Sequence, residues 1–288
     1  MNNIILNRLF SNNIFERLLT YNEDNLYREC VNRFLKNTDS AYNKDLIKEL
    51  YRYLHLNYRN EYYYKNILVN KLLIGRHSLN TTIALSELPI NKSIADFILV
   101  NGKATVYEIK TELDDFSRLE NQINDYYKAF TTVNILTSEG NYKRLKKSLT
   151  NDNVGIYVLT KRNTISTRRK PREVYSNLDH TTMFKLLRKH EYEAIIQKHY
   201  SFLPKTKPVF YFKECLRLFE KIEVYKAHKY VISELKNRDI KEKELCLTYS
   251  YKFSRKVPKE LKGIAYFSNY DKETYIKLEK FMNQKWGG

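Results

Sequence analysis

Two short apolar runs separated by an Asn-Gly pair constrain the fold of this chain more than any other feature. The first run, Ile94–Val100, is interrupted only by Asp96, and the second, Ala104–Lys110, ends in Glu-Ile-Lys. Asn101 and Gly102 lie between the runs, and Asn-Gly between strand-like segments is a strong signal for a tight hairpin turn. The sequence therefore predicts two antiparallel strands that carry charged side chains among apolar ones.

The length of the turn decides which face of the sheet carries Asp96. Side chains two apart on a strand share a face, so Glu108 and Lys110 point the same way. A two-residue turn would place Asp96 on the face opposite Glu108. We predict instead an odd-length loop with the glycine in a left-handed bulge and Leu99 paired with Lys103, or an equivalent bulge in the first strand. Either arrangement brings the three charged residues onto one face.

A helix is predicted directly after the hairpin. Ser117 with Glu120 three residues later is the pattern of a capping box. Gln122 and Tyr126 are one helical turn apart and lie beside an apolar stripe. The stripe has helical spacing and consists of Phe116, Leu119, Ile123, Tyr127 and Phe130.

In these residues the chain resembles the PD-(D/E)xK, or restriction-endonuclease-like, nuclease superfamily. Asp96 followed by Glu108-Ile109-Lys110 on the next strand is similar to the acidic core of that superfamily. Gln122-x-x-x-Tyr126 resembles the QxxxY motif of its RecB-like branch. The resemblance covers roughly residues 60–160, and Ile94-Ala95 stand before the aspartate where the superfamily name has a proline. Without the resemblance, the charged residues would be interpreted as a cross-strand ion pair on an exposed sheet face.

The resemblance implies an α/β fold in which a restriction-endonuclease-like mixed β-sheet is flanked by helices. It also implies hydrolysis of phosphodiester bonds with Mg²⁺, for which Mn²⁺ can substitute. Asp96, Glu108 and the backbone carbonyl of Ile109 would bind the metal, because hard oxygen ligands suit that ion. Lys110 would orient or help deprotonate the attacking water. The superfamily is mostly DNA-directed, so DNA is the favoured partner, with defence or mobile-element biology suggested by analogy.

The remaining site residues also follow from the resemblance. Gln122 and Tyr126 would hold the phosphate or the strand backbone. The first helix of such cores often brings a glutamate to the metal edge, and Glu61 is the corresponding position here. The alternative is that the Glu61 carboxylate stabilises the positive end of its helix and pairs with Lys65. Glu87 is either a further acid of the cluster or, as we favour, a solvated strand end.

Charge indicates a polyanionic partner. The chain has 51 Lys and Arg against 33 Asp and Glu, a net charge of +18, and its densest basic stretch, Asn141–Arg172, contains ten basic residues and one acid, Asp152. Clustered basic residues are the electrostatic signature of nucleic-acid binding, although a basic surface can also serve solubility alone. The predicted nucleic-acid-binding residues are Lys143, Arg144, Lys146, Lys147, Arg168, Arg169 and Lys170.

Helical and strand periodicities divide the chain into three predicted parts. These are an N-terminal helical cap (1–58), a nuclease-like core (59–167) and a basic, mainly helical C-terminal region (168–288). Lys243–Phe253 is too apolar and β-branched to assign. Further elements are predicted as helices at Ile4–Thr20, Asn25–Leu35, Lys44–Tyr58, Glu61–Gly75 and Tyr142–Leu149, and as strands at Thr81–Leu88, Thr132–Thr137 and Val154–Leu159.

Other sequence features bear on location and on competing functions. No run of eighteen apolar residues exists and the N-terminus lacks a signal-peptide core, so we expect a cytoplasmic protein with no membrane partner. The three cysteines form no CxxC pair, which argues against a zinc site or a disulfide framework. Two alternatives to a free enzyme remain open. The chain is then either a nucleic-acid-binding module built on a nuclease-like scaffold or a subunit gated by a protein partner or by homo-oligomerisation.

Overall fold

A computed structural model describes residues 4–77, 81–238, 257–268 and 270–287. The chain forms two compact units, one made of Met1–Asn80 with Lys241–Gly288 and the other of Thr81–Ile240. The boundaries at 58/59 and 167/168 predicted from the sequence do not coincide with these units. Lys243–Phe253, left unassigned from the sequence, lies outside the described residues.

In its described part, the unit built from the two chain ends consists of helices joined by loops, with one isolated β-bridge between Tyr42 and Lys285. The long helix predicted for Ile4–Thr20 is two helices, because the chain breaks at Phe10 and Ser11. The helix predicted from Glu61 begins there and is capped by Asn60, whose side-chain oxygen accepts a hydrogen bond from the Tyr63 amide at 2.9 Å. The helices are α1 (Ile4–Leu9), α2 (Asn12–Tyr21), α3 (Asn25–Phe34), α4 (Asn43–Asn57) and α5 (Glu61–Leu68), a π-helical segment Val69–Ile74, and two later helices, Lys262–Phe267 and Lys272–Met282.

The second unit contains a six-stranded sheet whose strands follow chain order. The strands are β1 (Ile83–Ile90), β2 (Ser93–Asn101), β3 (Lys103–Lys110), β4 (Thr132–Ser138), β5 (Gly155–Leu159) and β6 (Ile165–Arg169). β1, β2 and β3 are antiparallel, β3, β4 and β5 are parallel, and β6 returns antiparallel to β5. The predicted α/β class with a mixed sheet and helices is therefore confirmed.

Helices of the second unit connect and follow these strands. They are α6 (Leu119–Tyr127), α7 (Tyr142–Ser148), α8 (His180–Lys185), α9 (Lys189–Tyr200), α10 (Pro208–Phe219) and α11 (224–238). α6 packs its buried Leu119, Ile123 and Tyr127 in one apolar cluster with Val106 of β3 and Ile135 of β4. The helix that carries Gln122 and Tyr126 is thus fixed directly over the central strands.

Two local predictions were wrong, each because of a longer-range contact. β1 does not end before Pro89 but runs through it to Ile90, with Pro89 paired to Ile94. β1 is an edge strand, where a residue without an N–H loses no ladder bond. The capping box at Ser117 does not form, because Glu120 instead accepts hydrogen bonds from the amide and hydroxyl of Thr150 at 2.8 and 3.0 Å.

Candidate functional site

The hairpin register places Asp96 on the predicted face. Asn101 pairs with Lys103 around Gly102, whose φ of 67° is the predicted left-handed conformation. The predicted pairing of Leu99 with Lys103 was wrong, because the register is displaced by two residues. A displacement of two leaves every side chain on its face, so the odd-length loop and its consequence for Asp96 are confirmed.

The Asp96 carboxylate lies against the backbone of the neighbouring strand. Its Oδ2 accepts a hydrogen bond from the Ile109 amide at 2.7 Å. Asp96 is half-buried, and Phe97 next to it pairs with Tyr107 across the ladder. The first carboxylate of the site is therefore held beside the peptide that joins Glu108 to Ile109.

Glu108 and Lys110 form an ion pair inside the protein. Glu108 Oε1 lies 2.9 Å from Lys110 Nζ, and the two side chains are 2% and 12% exposed. The interpretation as an exposed cross-strand pair is therefore wrong, since the pair is buried and both members belong to β3. Burial of two charges is costly unless further hydrogen bonds compensate it.

Gln122 and Tyr126 supply those hydrogen bonds from α6. Gln122 Oε1 accepts from Lys110 Nζ at 2.9 Å. The Tyr126 hydroxyl lies 2.6 Å from Glu108 Oε2 and 2.8 Å from the carbonyl oxygen of Ile94. The hydroxyl has one proton, so these two acceptors share it, and the charged carboxylate is the stronger acceptor.

The protonation state of Tyr126 is fixed by its surroundings. Burial raises the pKa of its hydroxyl far above the ordinary value, and the negative charge of Glu108 raises it further. Tyr126 is therefore a hydrogen-bond donor at any physiological pH. The structure brings together Asp96, Glu108, Lys110, Gln122 and Tyr126, as the sequence predicted.

Asp125 is a buried carboxylate of this region that the sequence did not reveal. It accepts hydrogen bonds from the Asn91 and Ser93 side chains at 2.6 and 2.8 Å, which ties the β1–β2 turn to α6. Burial raises the pKa of Asp125, but these hydrogen bonds and Lys128 outweigh burial and leave the pKa below its usual value. No sequence signal indicates this contact, because its members are more than thirty residues apart.

The other two candidate acids are Glu61 and Glu87. Glu61 belongs to the other compact unit, and its carboxylate lies 2.7 Å from Lys65 Nζ, the pairing given above as the alternative. Glu87 is exposed and has a φ of 55° within β1. Its neighbours Ser86 and Leu88 pair with the two residues on either side of Asp96. Within the described ranges, no three His, Cys, Asp or Glu side chains are grouped closely enough to hold a metal ion.

Asp96 and Glu108 nevertheless have the donor chemistry of a hard-cation site. Each carboxylate oxygen has two lone pairs, so an oxygen that already accepts one hydrogen bond can still bind a metal. The Ile109 carbonyl lies in the same strand as Glu108. These three groups are the ones that would hold Mg²⁺.

The basic residues are only partly available to a ligand. Lys143, Lys146, Lys147, Arg168 and Lys170 are exposed. All three arginines make contacts within the protein. Arg144 lies 4.6 Å above the Phe116 ring and Arg168 5.7 Å above the Tyr142 ring. Arg169 binds the Val154 carbonyl, Asp152 and the Asn151 carbonyl. Arg169 thus anchors the segment before β5.

A polar cleft of about 790 Å³ opens beside the Lys110–Gln122 contact. Gln122 lines it directly, and Ile94, two residues before Asp96, lies in its wall with its side chain 55% exposed. The remaining lining is mostly cationic or amide in character, with one hydroxyl and one acid, and consists of Lys92, Arg118, Lys128, Asn91, Asn121, Asn124, Ser93 and Asp125.

Comparison with known proteins adds a family but no activity. The profile of the family described as bacteriophage P4 protein cII matches residues 55–263. A solved structure, the SPO1766 protein of unknown function from Silicibacter pomeroyi, is similar at 13% identity and a TM-score of 0.29, over 42% of this chain and 82% of that one. No curated protein matches. Among the described helices, none is both long and apolar enough to cross a membrane.

Proposed function

The chain belongs to the bacteriophage P4 protein cII family, and we propose that it is a metal-dependent nuclease that hydrolyses phosphodiester bonds, with DNA as the favoured substrate. One observation carries the proposal. Two carboxylates and a lysine come to one face of a hairpin, where Asp96 accepts from the Ile109 amide, and Glu108 and Lys110 are bonded to each other and to a tyrosine and a glutamine from the following helix.

The energetics of this group favour a chemical role. Glu108 and Lys110 lie among strands that are otherwise apolar, and an apolar pair of similar size would fill that space at no desolvation cost. Charged side chains retained in such a place often belong to functional sites. The pair is therefore better explained by a ligand that needs it than by the stability of the sheet.

Each residue has a role that follows from its contacts. Asp96 and Glu108 would hold Mg²⁺, and a bound Mg²⁺ would lower the pKa of a water molecule and offset charge on the phosphate. Lys110 places a positive charge between Glu108 and Gln122, where it attracts the phosphate and orients the attacking water. Tyr126 holds Glu108 in position through its hydroxyl, and Gln122 does the same for Lys110.

A cleavage assay tests the proposal. Purified protein is incubated with labelled single- and double-stranded DNA and RNA in the presence of Mg²⁺, Mn²⁺, Ca²⁺ or chelator. We expect cleavage with Mg²⁺ and Mn²⁺, binding without efficient cleavage with Ca²⁺, and none with chelator. Metal-independent cleavage, or no cleavage of any substrate, contradicts the proposal.

Matched variants assign the chemistry to this site. Asp96→Asn and Glu108→Gln should lower the cleavage rate by orders of magnitude while nucleic-acid affinity stays similar. Lys110→Met should also abolish turnover, and Gln122→Ala should lose part of it. Glu220→Gln removes an exposed carboxylate at the end of α10 and serves as the control. Wild-type cleavage by folded Asp96 and Glu108 variants would place the activity elsewhere.

The exposed cations of α7, together with Arg168 of β6 and Lys170 directly after that strand, are proposed to contact phosphates. Arg168→Glu with Lys170→Glu should weaken binding of all duplex sequences alike and reduce the log-log salt slope by about 0.9 per lost contact. Arg169 is left intact because it anchors Asp152. An unchanged affinity and slope would mean that these residues only solvate the surface.

The alternative function, a partner-gated binding protein, is favoured by one contact. Both oxygens of Glu108 already have protein partners, Lys110 and Tyr126. A protein partner that displaced Lys110 would then switch metal binding on. Titration of the isolated protein with Mn²⁺ distinguishes the two functions, because a free enzyme binds the ion through Asp96 and Glu108 without a partner.

A further inference from the structure

We propose that the polar cleft beside Gln122 binds a short unpaired stretch of nucleic acid adjoining the bond that is cleaved, which rests on the proposed function and adds the strandedness of the substrate. The cleft is contiguous with the site at two points. Gln122 both lines the cleft and bonds Lys110, and Ile94 lines the cleft while its carbonyl contacts the Tyr126 hydroxyl.

The charges of the cleft suit a phosphate backbone. Lys92 and Arg118 are exposed, Lys128 is half-buried, and Asp125 is the acid among the lining residues. That carboxylate is already bonded by Asn91, Ser93 and Lys128, so it offers little repulsion to an anion. Within the described part of the chain, the Lys92 and Arg118 side chains make no hydrogen bond or ion pair and are available to phosphates.

The uncharged lining suits unpaired bases. Asn121 and Asn124 are exposed on α6 and, in the described ranges, their amides form no hydrogen bond with the protein. Amide side chains pair with the edges of bases, and those edges are fully accessible only where a strand is unpaired. The exposed apolar side chain of Ile94 offers a surface for the face of a base.

The size of the cleft favours a single strand over a duplex. Its volume of about 790 Å³ lies in the range of pockets that enclose small ligands. Proteins that read duplex DNA insert a helix or a ribbon into a groove that is itself about 12 Å wide. A concave cleft of this volume cannot surround a duplex, but it accommodates a strand end or an unpaired segment.

Binding measurements in chelator test the cleft without cleavage. Fluorescence anisotropy measures the binding of a labelled single-stranded oligonucleotide and of its blunt duplex. The wild type is compared with a cleft variant that carries both Lys92→Ala and Arg118→Ala. The matched control, Lys205→Ala with Lys207→Ala, removes two exposed charges of the same unit. We expect the cleft variant to lose roughly 20-fold in single-strand affinity at 0.1 M salt and about 1.4 units of salt slope, since each contact contributes about 0.7.

A second variant distinguishes contacts with the bases from electrostatic attraction of the phosphate backbone. Asn121→Ala with Asn124→Ala should weaken single-strand binding several-fold with the salt slope unchanged, because no charge is lost. Wild-type single-strand affinity in either cleft variant, or an equal loss for the blunt duplex, overturns the proposal. Thermal unfolding confirms that each variant is folded.

The two proposals fail in different ways. Cleavage by the wild type together with normal single-strand binding by the cleft variants would refute single-strand binding in the cleft but not the nuclease activity. Single-strand binding that depends on the cleft residues, without cleavage in Mg²⁺, would refute the nuclease activity but not binding in the cleft. A wild-type protein that binds neither strand form refutes both.

Discussion

Two adjacent tyrosines on α6 give a sharp test of the hydrogen-bond network. Tyr126 and Tyr127 are both fully buried. The Tyr126 hydroxyl donates toward Glu108, whereas the Tyr127 hydroxyl has no hydrogen-bond partner in the described structure. Replacing each tyrosine by phenylalanine removes one oxygen atom and leaves the apolar ring in place. Comparison of the two variants therefore isolates the contribution of the Tyr126 hydrogen bond to the free energy of unfolding.

Only the first of the two substitutions should lower stability. Tyr126→Phe removes a hydrogen bond to a charged group and leaves Glu108 Oε2 without its donor, which should lower the free energy of unfolding by about 1.5–3 kcal/mol. For a domain of this size the midpoint of thermal unfolding should fall by about 3–12 °C. Tyr127→Phe removes an unsatisfied buried hydroxyl, so stability should be unchanged or rise by up to about 1 kcal/mol.

Urea unfolding followed by circular dichroism measures both effects. The midpoint should shift without a change in the slope, because the surface exposed on unfolding is the same. In a Glu108→Gln background the Tyr126 hydroxyl faces a neutral acceptor, and its loss should then cost only about 1 kcal/mol. Equal stability of the Tyr126→Phe and Tyr127→Phe proteins would refute the assigned network.

Three further predictions concern the same unit. Burial lowers the pKa of His228 to about 4. Between pH 6.5 and 4 the unfolded chain therefore binds more protons than the folded chain, and stability should fall as the pH is lowered through that window. His228→Gln should flatten this part of a plot of thermal midpoint against pH. Arg238→Ala leaves the buried Glu191 without its cationic partner, with the Arg188 amide still bonded to it, and should cost about 3–5 kcal/mol in urea unfolding; Glu191→Leu in the same chain should recover part of this loss. Gly155→Ala would bring a Cβ within 2.0 Å of Asn134 Oδ1 and 2.9 Å of Pro171 Cδ and should lower the thermal midpoint, whereas adding Asn134→Ala removes the closer clash and should restore part of it.

Local signals explain what the sequence predicted well. The hairpin is encoded by neighbouring residues, since Asn101-Gly102 sets the turn and the alternation of β2 and β3 sets the faces. Helical spacing likewise located α6, and with it Gln122 and Tyr126. The candidate site is made of residues within about thirty positions of one another, and for this reason its assembly could be anticipated.

Features that depend on distant partners could not be predicted. Glu120 contacts Thr150 rather than capping its helix, and Asp125 contacts a turn that precedes it by more than thirty residues. The strand through Pro89 depends on β1 being an edge, which is a property of the whole sheet. The compact unit formed by both chain ends depends on contacts such as that of Asn66 with Lys259.

The turn at Gly102 has a consequence for how this protein can vary during evolution. Nothing in the described structure lies within 4 Å of a Cβ placed on Gly102, so space alone does not restrict insertions there. One added residue that shifted the ladder would turn Asp96 away from Glu108, whereas two would keep both on one face. Functional relatives should therefore differ in the length of this turn by even numbers of residues, and an odd difference should mark a homologue that has lost the chemistry of the site.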